Sequence, residues 1–88
     1  MKPSFTIAGA GNVVIPAFLT LKQRGYSVRR HKLSEDAYTW TAQKDAVELI
    51  SEDPVTLLAL AAIAETRGEH WRASDTETQR FLDKYGAA

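Results

Sequence analysis

The chain has 88 residues, 44% hydrophobic and 25% charged, with a formal net charge of zero and no cysteine. That length predicts a single domain over residues 1–88, and that composition argues against disorder. Lack of cysteine excludes disulfides, thiol catalysis and thiolate metal sites, and it points to a reducing, cytoplasmic compartment.

No apolar run approaches the ~20 residues of a membrane helix. The start, Met1-Lys2-Pro3-Ser4, lacks the apolar stretch of a signal peptide. A soluble protein with no membrane partner is therefore expected. Its charge is uneven along the chain. Residues 1–44 hold seven basic and two acidic residues, and residues 45–88 hold four and nine. Asymmetry of this kind can steer a charged partner, unless the two halves interleave in the fold.

Phe5-Thr6-Ile7-Ala8 alternates and predicts a first strand, broken by Gly9-Ala10-Gly11. Asn12 is placed to cap a helix over about 13–24, with Pro16 tolerated in its first turn. Val14, Ala17, Phe18 and Leu21 recur at helical spacing as its core face. Gly25 ends it. Residues 26–33 read as a second strand, with Tyr26 and Val28 on one face. Ser34-Glu35-Asp36 reads as a turn. Tyr38, Trp40 and Ala42 alternate with Thr39 and Thr41 as a half-buried third strand. Gln43-Lys44-Asp45 reverses the chain into a fourth strand through Val47 and Leu49, with Ile50 on its other face.

Asp53-Pro54 combines an Asp cap with proline at the first helical position. The helix that follows has a broad apolar side from Leu57 to Ala64 and stops at Gly68. Ser74-Asp75-Thr76-Glu77 matches the capping box of a last helix, whose apolar stripe is Phe81, Leu82 and Tyr85. The fold class is thus α+β. A small, mostly antiparallel four-stranded sheet carries three helices on one face, in the order βαβββαα. Strands one and two are parallel if the first helix is a right-handed crossover.

No convergent catalytic set is legible, and no cofactor or metal is expected. Gly9-Ala10-Gly11-Asn12 lies between a strand and a helix, as a phosphate-binding turn does. Val14, however, stands where the dinucleotide fingerprint needs its third glycine. A tight turn with a cap explains it, with a small-ligand site as the rival. His31 has no carboxylate or serine paired with it in sequence. Glu65, Glu69 and His70 could share a metal only if the break at Gly68 left them together. Arg29-Arg30-His31-Lys32 is the densest basic run. It fits an edge strand guarded against aggregation, a protein partner, or nucleic-acid phosphates with Tyr26 for stacking. Trp40 reads as core. Trp71 lies in the polar connector Glu69–Arg72, either clamping the last two helices or, with Arg72, anchoring an interface.

Two stretches carry a resemblance. One is Gly11-Asn12, Pro16-Ala17 and Lys22-Gln23-Arg24-Gly25-Tyr26. The other is Glu52-Asp53-Pro54, Leu57-Leu58, Arg67-Gly68 and Trp71. Together they resemble small bacterial proteins, some of which look like immunity proteins that accompany polymorphic or contact-delivered toxins. The resemblance implies a non-catalytic protein that occludes a cognate toxin, and it carries over no binding residue. The neutral charge departs from the strongly acidic immunity proteins that face nucleases, so the toxin class stays open. The expectation is a protein-binding module using Arg29, His31, Trp71 and Arg72, with homo-oligomers allowed. The alternative is a nucleic-acid-binding regulator using residues 29–32.

Overall fold

The computed structural model describes residues 2–87. A 3₁₀ turn, Gly11–Val13, leads into α1, Val14–Gln23. The strands are β1, Ser27–Lys32; β2, Tyr38–Lys44; and β3, Val47–Ser51. The helix α2 spans Pro54–Arg67, a second 3₁₀ turn spans Gly68–His70, and α3 spans Asp75–Tyr85. No helix among the described residues is long and apolar enough to cross a membrane.

The sheet is antiparallel with strand order β1-β2-β3. Among the described residues it has three strands and not four. The predicted first strand, Phe5–Ala8, is an irregular arm that pairs with nothing, leaving Phe5 and Ile7 about three-quarters exposed (75% and 74%). The element order is therefore αβββαα, with no parallel crossover among the described residues. Alternation shows that a segment can line a sheet. Joining one also needs a free ladder edge, and this segment has not taken one. Asn12 is not the cap of α1 either. The 3₁₀ turn places Val13 at that position, with no side-chain hydrogen bond.

Elsewhere the local signals hold. The Asp53 carboxylate accepts from the Thr56 amide at 2.8 Å and the Thr56 hydroxyl at 3.0 Å, ahead of Pro54. Ser74 Oγ accepts from the Glu77 amide at 3.1 Å, and the Ser74 amide donates to Glu77 Oε1 at 2.8 Å, closing the capping box. Such caps satisfy amides that the first helical turn leaves without partners. Gly25 turns the chain from α1 into β1 at φ 94°, a left-handed conformation costly for other residues.

Register assigns the faces. Val28 pairs with Ala42, Arg30 with Trp40, and Ala42 with Leu49 on the side that α1 and α2 cover. The core comprises Leu21, Tyr26, Ala42, Leu49, Leu57 and Ala61, with Ala17 also buried. Half-buried Phe18 meets Trp40 edge to face, with ring centroids 6.2 Å apart. Core positions expected on α1 are thus met by Ala17 and Leu21, while Val14 stays exposed. The other sheet face has no covering layer from the described helices.

The last helix departs from the expected packing. No described residue of α3 is buried, and Phe81, Leu82 and Tyr85 remain 45%, 40% and 62% exposed. The helix is held to the body through Arg67. Its guanidinium donates to the carbonyls of Trp71 (2.9 Å) and Arg72 (3.5 Å) and to Glu77 Oε1 (2.9 Å). The core is therefore complete without α3.

Truncation should expose this division. Leu57→Ala should cost about 2–5 kcal/mol of unfolding free energy through lost burial and a residual cavity. Ile50→Ala, on the uncovered sheet face, should change it by no more than about 0.5 kcal/mol. Urea denaturation measures both, and equal costs would contradict the assigned core.

Candidate functional site

The basic run on β1 occupies an edge strand, and the pleat divides it. Arg29 and His31 lie on the uncovered face, opposite Thr41 and Thr39, while Arg30 and Lys32 lie on the helix side. The Arg30 guanidinium sits 4.2 Å from the centre of the Tyr38 ring, a cation–π contact. Four consecutive basic residues thus do not form one phosphate-tracking stripe. Arg29 and His31 line a shallow polar hollow with Ser27, Thr41, Gln43 and Glu48. His31 Nε2 lies 3.3 Å from Thr41 Oγ1.

Trp71 and Arg72 follow the second 3₁₀ turn. The Trp71 indole is 45% exposed, and the Arg72 guanidinium lies 4.3 Å from the centre of its ring. Trp71 lines a groove with Val47, Leu49, Ala64 and Gly68, so its apolar wall comes from β3 and the end of α2. It does not clamp α2 to α3; Arg67 performs that task. The structure does not place Arg29 and His31 in one pocket with Trp71 and Arg72. Glu48 lines both hollows and lies between the two pairs.

The proposed metal trio is not assembled. Among the described residues, no three of His, Asp and Glu come together to hold a metal ion. Glu65 instead receives two donors that sequence reading missed. Arg24 forms a two-nitrogen fork with the Glu65 carboxylate, and the Tyr26 hydroxyl donates to Glu65 Oε2 at 2.8 Å. Lys44 completes the corner by donating to the Arg24 carbonyl at 2.7 Å, with its ammonium 5.5 Å from the centre of the Tyr26 ring. Arg24 and Tyr26 are 41 and 39 residues from Glu65, so no spacing in the sequence could have paired them.

Those bonds set the ionisation. Hydrogen bonds from Arg24, then Tyr26, hold the Glu65 carboxyl below its usual value. Burial, then the bond to Glu65, raises the Tyr26 phenol. These bonds link α1, the approach to β1 and α2, which makes the group a tie between elements. The glycine turn at 9–12 also lacks a cradle. A Cβ built on Gly9 or Gly11 would meet nothing within 4 Å.

A depressed carboxyl stabilises the fold fully above its unfolded pKa, and that stabilisation fades as pH falls through the folded value. Thermal melts followed by circular dichroism should therefore lose stability on acidification from about pH 5 to about pH 3. Glu65→Gln should melt lower at neutral pH and show a shallower loss over that window. An unchanged acid slope would remove Glu65 from this role.

No protein-family model, no curated protein and no solved structure matches the chain.

Proposed function

We propose that this chain is a non-catalytic protein-binding module that acts as an immunity protein, covering a cognate bacterial toxin. One observation carries the binding reading: a tryptophan left half-exposed in an apolar groove with an arginine stacked upon it. Trp and Arg dominate interface hot spots because each removes much surface from water while retaining a polar or charged handle. Arg29 and His31 line a polar hollow on the uncovered sheet face, a second surface that offers a partner directional donors and acceptors. The immunity role adds to this the resemblance carried by the stretches around Pro16 and Pro54.

The chemistry of the remaining polar residues supports a binding role over a reacting one. Glu65, Asp53 and Glu77 each have their carboxylates occupied by protein donors. The nucleic-acid reading is weaker, because the pleat leaves only Arg29 and His31 of the basic run together on the uncovered face, beside acidic Glu48.

The test is affinity capture of the tagged chain from its native cells, with wild type beside Trp71→Ala. A stoichiometric toxin domain should be recovered with wild type. Its affinity should fall about 30-fold or more with the variant, as expected when a hot-spot anchor worth about 2 kcal/mol is truncated. Recovery of no protein in stoichiometric amount would end the proposal. Recovery of nucleic acid that is shed as salt rises would replace it with the alternative.

A further inference from the structure

The protein exposes more surface than its mass warrants. A compact monomer of 9.8 kDa should expose about 5,200 Å², whereas this chain exposes 7349 Å². Its radius of gyration, 15.7 Å, compares with about 12 Å for a compact chain of this length. The difference in area, on the order of 2,000 Å², exceeds the ~800 Å² that each partner contributes to a standard interface.

Part of the uncovered apolar surface lies in the arm and on α1 (Phe5, Ile7, Ile15), and a contiguous part, Phe81, Leu82 and Tyr85, lies on α3. Thr78, Phe81, Leu82 and Tyr85 recur at i, i+3, i+4 and i+7, one stripe of a helix. Phe81 and Leu82 line an open groove with Arg67, Ala73, Glu77 and Thr78. An eleven-residue helix is marginal in water without an apolar cover. No described residue of the chain buries this stripe.

We infer that the cover is a second copy of this chain, with the two α3 helices packed antiparallel about a two-fold axis and Phe81 and Leu82 at the crossing. Charge selects this occupant. Glu77 and Lys84 lie along the same flank of the stripe, seven residues apart. In an antiparallel pair like flanks meet with directions reversed. Glu77 of each copy then turns Oε2, the oxygen not used by Arg67 and the Ser74 amide, toward the partner's Lys84, and the pairing occurs twice. Parallel packing forgoes that pairing and aligns the two helix dipoles, which repel. The zero net charge of the chain removes the repulsion that keeps monomers apart. A two-fold contact is self-complementary and closed, so it ends at the dimer. This surface is separate from the Trp71 groove, so the dimer stands or falls apart from toxin binding.

Sedimentation equilibrium of the full chain, from about 1 to 100 μM, tests the inference. The expected mass is twice 9.8 kDa. Phe81→Asp should raise the dimer dissociation constant by at least about 100-fold, since a central anchor is replaced by a charge. Circular dichroism should show the β-sheet and the thermal transition of the core retained, because Phe81 lies outside the core. Lys84→Glu should weaken the dimer about 3- to 10-fold at low salt, with the difference shrinking as salt rises. A wild-type chain that stays at 9.8 kDa throughout would overturn the inference. So would a Phe81→Asp chain that still dimerises as wild type does, or a mass that climbs past the dimer with concentration.

Discussion

Glu65 joins pieces of the chain that have no local reason to meet. Arg24 closes the end of α1, Tyr26 enters β1, and Glu65 stands in the last turns of α2. One carboxylate accepting from both donors links the end of α1 and the start of the sheet to α2. The pair is partly solvated, with side chains 42% and 35% exposed, so its Coulomb energy is modest. Its importance is geometric. Tyr26 is itself a buried core residue, and its hydroxyl would be left without a partner at the edge of that core if Glu65 pointed elsewhere. The tie therefore couples a polar register to apolar burial.

That corner also explains where the body of the protein stops. The buried residues come from α1, β1's approach, β2, β3 and the stretch of α2 up to Ala61. Beyond Glu65 every described residue is exposed. Gly68, at φ 68°, then turns the chain out of the helix, and the connector that follows carries Trp71 and Arg72. Arg67 holds this connector by its carbonyls, which orients the indole along the groove beside β3 without burying it. A rigid platform and a tethered, half-exposed aromatic side chain are thus consecutive consequences of one helix ending.

The features legible in the sequence are those decided within a few residues. The Asp53 cap, proline at the head of α2, the Ser74–Glu77 box and the glycine at 68 each act on neighbouring backbone. The alternation of Trp40 and Ala42, and of Val47 and Leu49, reports which sheet face is covered, because the pleat allows only two answers. Decisions that need a distant partner were not legible. Phe5–Ala8 has the pattern of a strand without an edge to pair with. The stripe on α3 is plain, while nothing local says what it packs against. Arg24, Tyr26 and Glu65 carry no periodic or spacing signal at all. For the candidate site, the sequence grouped Arg29 and His31 with Trp71 and Arg72. It could not show that Arg29 and His31 fall on a different surface, with Glu48 between.

The energetics of α3 follow from the same separation of local and distant effects. Its capping box contributes about 1 kcal/mol, and the exposed Arg67–Glu77 pair less than that. Those terms set where the helix starts and how it leaves the body, but they do not offset the entropy of fixing eleven residues, about 1–2 kcal/mol each for backbone alone. Hydrogen bonds inside the helix recover most of that cost and leave it near balance in water. Burial of Phe81, Leu82 and Tyr85 adds about 1.5–3 kcal/mol for each side chain removed from water, which is the larger effect. Whatever covers that stripe therefore decides whether α3 is a persistent helix. Since the core lies outside it, the stability of the platform does not depend on what meets that helix.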